Sequence, residues 1–292
     1  MELKLKTMKL TVIDTGYFKL DGGAMFGVVP KSIWEKLESP DEKNLCTWAM
    51  RCLLVQTADK NILIDCGIGN KQSEKFFSHY EPHGESSLID SLKKVGLSTD
   101  DITDVFLTHL HFDHVGGAVS IENGNYVPTF PKAIYWSNAQ HWNWAMYPNN
   151  REKASFLKEN FEPLMNAGVL KFIDSTSYDS QINFCENIDV LFTYGHTEAM
   201  MLPMITLNYQ KIVYCADLLP SPSHIPLPYV MGYDVRPLQT MIEKEYFLKR
   251  AEKEQWILVF EHAKSVEACT VKTDEKGRIV VDQSGLLTDF IS

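Results

Sequence analysis

The sequence predicts an α/β protein of one domain, spanning residues 1–292, with two β-sheets packed together and helices outside them. Three observations carry this expectation. Short apolar runs of strand length are interleaved with helix-length segments in both halves of the chain. A composition of 45% hydrophobic and 23% charged residues over 292 positions gives ample material for a large core. Polar residues that emerge from apolar strands, between 109 and 262, read as one site that draws on most of the chain.

The elements follow in order. Residues 8–15 and 17–20 read as an opening hairpin, followed by a glycine-rich apolar stretch, Asp21 to Pro30. Strands at 46–57 and 61–66 flank the turn Ala58–Asn61. A helix near 86–95 has Ser86 or Ser87 as its cap, Leu88, Leu92 and Val95 on one face, and Gly96 as its stop. Val105–Thr108 is a short buried strand, Ala133–Trp136 another, and 138–147 and 151–166 read as helices. Strands at 169–173 and 188–194 precede a pair, Met204–Tyr209 and Lys211–Cys215, around a tight turn at Asn208-Tyr209-Gln210. A proline-rich loop covers 219–237, a helix 237–253, and Trp256–Phe260 is a last core strand before a short β tail.

Charge and cysteine usage narrow the function classes. Twenty-eight basic against thirty-eight acidic residues give a formal net charge of -10, which disfavours nucleic acid or an anionic membrane as partner. No apolar run approaches the twenty or so residues of a membrane span. The opening Met1–Lys6 alternates charge with Leu and lacks a secretory apolar segment. Cys46, Cys52, Cys66, Cys185, Cys215 and Cys269 are scattered without metal or disulfide spacing, so a cytoplasmic protein with reduced, packed thiols is expected.

Five of the nine histidines carry the chemistry, and His79, His83 and His141 have no assigned role. In His109-Leu110-His111-Phe112-Asp113-His114, the first two histidines point to one side of an extended chain. A turn begun at Asp113 brings Asp113 and His114 to a neighbouring point, with Gly116 and Gly117 allowing a tight fold behind them. Four metal-competent groups in six residues suit two adjacent cations better than one tetrahedral site. His196, Asp217 and His262 each follow an apolar strand, and the carboxylate of Asp217 is able to bridge two cations. A lone histidine after a strand is usually an ordinary packed or surface residue, but the constellation His109, His111, Asp113 and His114 with Asp217 is improbable by chance. No cysteine falls in the cluster, so an open catalytic site is favoured over a closed structural one.

With these blocks in view, the chain resembles the metallo-β-lactamase-fold hydrolases. The resemblance rests on Asp65-Cys66-Gly67, His109 to His114, Gly195-His196-Thr197, Asp217 and His262, in the family's order. It implies a four-layer αββα sandwich with two divalent metal ions, usually Zn2+, at one edge. It further implies one metal held by His109, His111 and His196, another by Asp113, His114 and His262, with Asp217 bridging. Asp65 then orients the histidine loop without binding metal. A narrower likeness, carried by Asp21–Pro30, Gly195–Met200 and Ala216–Pro220 with His224, is to N-acyl-homoserine lactonases and methyl-parathion-hydrolase-like relatives. Those lactonases place a tyrosine just after the bridging aspartate; here Leu218, Leu219 and Pro220 stand there, leaving its role to His224, Tyr229 or Tyr233.

The expected activity is opening of an acyl-homoserine lactone, and so quenching of bacterial signalling, by a hydroxide shared between two cations. Asp113 and Asp217 are its catalytic carboxylates. The alternatives are a phosphotriester or carboxylic-ester hydrolase of the same fold, or a non-hydrolytic redox or binding module; His111 argues against the flavin-linked di-iron branch, which has glutamate there. Met25 and Phe26, with His224, Tyr229 and Tyr233, are the expected pocket walls for a small substrate with an acyl chain. A homodimer is compatible with the resemblance. Trp142 with Met146, at helical spacing, reads as a packing face.

Overall fold

Strand alternation organises the interior of the computed structural model, which describes residues 8–173 and 181–291. In the strand Leu45–Gln56, Leu53 and Val55 face one core while Cys52 and Leu54 face another. Ile62 and Ile64 divide from Leu63 in the same way. The first sheet is therefore buried on both faces. Its six strands run in the order Lys9–Asp21, Leu45–Gln56, Asn61–Ile64, Asp104–Phe106, Ile134–Ser137, Leu170–Phe172, the last four mutually parallel.

The second sheet has seven strands, ordered Ile279–Gly285, Ala268–Thr273, Ile257–Val259, Gln210–Tyr214, Met200–Leu207, Ile188–Thr193, Ile182–Cys185. Val190, Leu202, Met204, Val213 and Leu258 share one core with Leu53, Ile62 and Phe106 of the first sheet. Phe247, Leu248 and Ala251 of the helix Pro237–Glu254 join that core, while Leu88 and Leu92 of the helix Leu88–Lys94 pack on the other face of the first sheet. The layers are helix, sheet, sheet, helix. Among the described residues no helix is long and apolar enough to cross a membrane.

Three backbone links stitch the sheets near one edge: Met201 N–H donates to the Thr108 carbonyl (2.9 Å), Ala49 N–H to His262 (3.2 Å) and Arg51 N–H to Glu261 (3.1 Å). At that edge lie the C-terminal ends of Asn61–Ile64, Asp104–Phe106, Gln210–Tyr214 and Ile257–Val259, where ligand sites of parallel sheets form. Asp65 (φ 58°) and Ala216 (φ 41°) hold left-handed backbone there, a strain concentrated at the site.

Several local expectations are corrected. The opening hairpin is one strand, Lys9–Asp21, paired along its length with Leu45–Gln56; the irregularity between Asp14 and Tyr17, with Gly16 at φ 98°, is a bulge. Within the glycine-rich stretch, the Asp21 side chain caps a short helix, Gly22–Phe26, by accepting from Ala24 N–H. The helix expected over 151–166 breaks into turns and a short helix, Glu162–Asn166, because Pro163 lacks the N–H an interior position needs. The helices Lys31–Trp34 and Glu74–Tyr80, the hairpin Val119–Glu122/Asn125–Pro128 and the strand Ile182–Cys185 went unforeseen, although the Asn123-Gly124 turn marks that hairpin. The segment Met1–Lys6 lies outside the described residues.

Gly116 and Gly117 press against the backbone of Ile68 and Cys66, where any Cβ would collide. Gly116→Ala is therefore expected to cost about 1–3 kcal/mol of stability by overpacking. Urea unfolding of the purified variant measures this; an unchanged midpoint would show that the loop has slack.

Candidate metal centre

Each expected histidine has one ring nitrogen tied from behind and the other turned inward. His109 Nδ1 donates to Thr108 Oγ1 (3.1 Å), whose own hydroxyl donates to Asp65 Oδ2 (2.7 Å). His111 Nε2 donates to Glu152 Oε1 (3.0 Å), His196 Nδ1 to Asp234 Oδ1 (2.9 Å) and His262 Nδ1 to the Ala49 carbonyl (2.8 Å). His114 Nδ1 faces both Asp65 Oδ2 (3.1 Å) and Glu261 Oε2 (2.9 Å). Such backing orients each ring and leaves its inward nitrogen for a ligand bond once any proton there is lost.

The inward atoms form two groups: His109, His111, His196 and Asp217 in one, Asp113, His114 and His262 in the other. Asp217 joins them. Its Oδ2 lies 3.1 Å from His196 Nε2 and 3.9 Å from His109 Nε2, its Oδ1 3.1 Å from His262 Nε2 and 3.5 Å from His114 Nε2. The Asp113 Oδ2 atom is 3.8 Å from both His114 Nε2 and His262 Nε2. All seven side chains are buried. The structure thus gathers the seven expected metal residues at one point, with Asp65 behind them.

This donor set fits metal ions on two grounds. Asp217 Oδ1 is buried, and despite its imidazole neighbours it receives no aligned N–H. Six buried carboxylates (Asp65, Asp113, Glu152, Asp217, Asp234, Glu261) surround five imidazoles, and among the described residues none pairs with a lysine or arginine. Divalent cations neutralise such an excess, and imidazole with carboxylate suits zinc-type ions.

The electrostatics follow from this crowding. Burial, with His114 and His111 close by, holds His109 well below its ordinary range. Burial also opposes charge on His196 and His262, but carboxylates overcome it: Asp217 and Asp234 push His196 up to about 10, Asp217 and Glu261 push His262 up to about 9. Against its own burial, Asp217 is held well below the usual carboxylate range by His114, His196 and His262. Burial lifts Glu261 to about 7.

A cavity of about 290 Å³ opens over the cluster, floored by His111, Asp113, His196, Asp217 and His262. Met25 and Tyr233 line it. Phe26 and His224 do not, which corrects two expected walls. Phe26 is wholly buried and stacks between Trp34 (5.6 Å) and His224 (4.8 Å), while His224 Nε2 donates to the Met25 carbonyl (3.0 Å). Tyr229 packs edge-on against Phe26 and is likewise not a wall. These residues stiffen the wall from behind. Lys244 does the same for the facing loop, donating to the carbonyls of Pro226 (3.1 Å) and Tyr229 (2.8 Å).

Sequence reasoning missed Glu152, Asp234, Tyr80, Arg151 and Met231 because no spacing ties them to the cluster, and Phe112, though inside the histidine block, was not read as a wall. Glu261 carried a signal, a lone acid at the end of the apolar run Ile257–Phe260. His141, without an assigned role before, holds the histidine loop: its Nε2 accepts from Leu110 N–H (2.8 Å) and its Nδ1 donates to the Glu198 carbonyl (2.5 Å). Trp142 packs on Phe161 (5.5 Å), away from the site.

Comparison with known proteins follows the same lines. The family model of the metallo-beta-lactamase superfamily matches residues 51–262. An N-acyl homoserine lactonase of Bacillus thuringiensis is 24% identical over 164 residues, covering 53% of this chain and 56% of that protein. The match thus spans little more than half the length of that relative. A probable metal-dependent hydrolase from Staphylococcus aureus superposes with a TM-score of 0.85 at 29% identity, covering 97% of this chain and 98% of the other. The dizinc quorum-quenching lactonase AidC, in complex with a product, superposes with a TM-score of 0.77 at 22% identity, covering 97% and 96%, a likeness of fold.

Two outcomes are expected. At pH 7, below their raised values, His114, His196 and His262 are all protonated, so metal loading must displace protons. Zinc titration in buffers of different ionisation enthalpy should report about three protons released from these imidazoles, with affinity rising towards pH 9; release of none would contradict the charge assignment. Asp234→Asn should weaken metal binding about 10–100-fold in chelator competition without unfolding the protein.

Proposed function

The chain belongs to the metallo-beta-lactamase superfamily, and from that premise we propose that it is a dinuclear metal-dependent hydrolase that opens the ring of N-acyl-homoserine lactones. The observation that carries this reading is Asp217 presenting one oxygen to each of two buried donor groups at the floor of a half-apolar cavity. His109, His111 and His196 would hold one ion, Asp113, His114 and His262 the other, and Asp217 both. Two zinc ions are the proposed cofactor. They would supply Lewis acidity and lower the pKa of water towards neutrality.

The remaining work falls to the chain itself. Leu20, Met25, Phe112 and Met231 offer apolar walls to an acyl chain and keep bulk water from the reacting carbonyl. Asp113, at the cavity floor, would take the proton given up by the attacking water and pass it to the departing alkoxide. Asp65 and Glu152 keep the imidazoles oriented through the hydrogen bonds described above. The donor atoms come from loops after strands of both sheets, which supports one domain over residues 1–292. The six cysteines are free, which suits a reducing cytoplasm, and quenching of lactone signals is the role that would follow.

A panel assay with zinc-loaded protein tests the reading. Acyl-homoserine lactones of several chain lengths are compared with a simple ester and a phosphotriester. Preferential lactone opening is expected. No opening at any chain length would reject the substrate, and faster phosphotriester turnover would put that alternative first. Asp217→Ala should remove both bound metal and at least about 10³-fold of kcat/KM, a loss of about 4 kcal/mol of transition-state stabilisation; full turnover with an empty site would sink the metal scheme.

A further inference from the structure

Two phenols line the cavity over the donor cluster, and neither hydroxyl has a hydrogen-bond partner among the described residues. They belong to Tyr80 and Tyr233. Both line the same cavity as Asp113, whose charge bears on each of them. A phenol at the edge of a buried polar site ordinarily finds a partner, and here the open side is the cavity.

The two differ in how they are held. Tyr80 ends the helix Glu74–Tyr80, which Ser73 caps by accepting from Phe76 N–H. Its ring packs on Phe112 (centroids 4.5 Å) and on Phe76 (4.9 Å), and Phe112 directly follows His111. The next residue, Glu81, turns into left-handed backbone (φ 40°), and its carboxylate is tied to Lys19 (2.7 Å) and Lys43 (2.9 Å). The helix end is therefore fixed from both sides. Tyr233 is 38% exposed, sits on an irregular loop and makes no comparable ring contact among the described residues.

We infer that Tyr80 is a catalytic residue: its hydroxyl donates a hydrogen bond to the substrate oxygen that gains negative charge as the acyl–oxygen bond opens. Burial, with Asp113 nearby, lifts its pKa above the ordinary phenol value, so it stays protonated and acts as a neutral donor. A rigidly held donor aimed at a developing oxyanion is worth most when it needs no reorganisation. The proton remains on the phenol, and only the strength of the hydrogen bond changes.

This inference rests on the acyl-hydrolase reading above, and the test separates the two. Zinc-loaded wild type, Tyr80→Phe and Tyr233→Phe are compared on whichever substrate of the panel the wild type turns over. Tyr80→Phe is expected to lower kcat about 100-fold, with KM little changed. Zinc content, thermal midpoint and calorimetric affinity for the ring-opened product should stay at wild-type values. That pattern marks an interaction made in the transition state alone. Tyr233→Phe should lose far less. Wild-type kcat in Tyr80→Phe, a loss confined to KM, or loss of zinc would each overturn the assignment. Failure of the wild type on every lactone would instead reject the lactone reading, with Tyr80 then judged on the substrate that is turned over.

Discussion

Asp217 lies at the seam between the two sheets with one carboxylate oxygen turned to each donor group, and burying that charge sets conditions on everything around it. An ionised carboxylate removed from water is tolerable only beside compensating positive charge. His114, His196 and His262 supply it, and all five imidazoles of the cluster need their outer nitrogens satisfied in turn. That need recruits Asp65, Glu152, Asp234, Glu261 and the Ala49 carbonyl. Glu152 then draws on further donors: Trp144 Nε1 (2.7 Å), Asn149 Nδ2 (3.1 Å) and the Thr197 hydroxyl. The polar interior is a nested set of obligations spreading outward from one residue.

The fold meets these obligations by bringing strand ends together. Alternating side chains bury both faces of the first sheet, so polar residues emerge only where strands stop. Cross-sheet links at Thr108, Glu261 and His262 hold the two edges in register. The left-handed residues Asp65 and Ala216 show what this convergence demands of the backbone. The glycines behind the histidine loop let it close against Ile68 and Cys66.

The cavity walls are set by a second tier of packing. His224 and Phe26 look in sequence like residues that meet substrate, yet they stack on each other and support Met25 from behind. Lys244 braces the loop that carries Met231 and Tyr233. Opposite them, Tyr80 is delivered by a short helix anchored through Glu81. The upper walls of the cavity are thus shaped by elements outside the donor cluster.

The sequence alone determined the layered α/β character and the residues from His109 to His114, with His196, Asp217 and His262. It could do so because hydrophobic periodicity and short-range spacing are local properties of a chain. Strand boundaries are less legible, and the segment 151–166 is not one helix, the short helix Glu162–Asn166 carrying Pro163 in its first turn. Only the tertiary structure decided the outer partners and the walls. Glu152 meets His111 across 41 residues and Asp234 meets His196 across 38, while Tyr80 reaches the cavity from a helix that had left no clear periodic signal. Such pairings are fixed by how distant surfaces pack, and a local pattern carries no record of them.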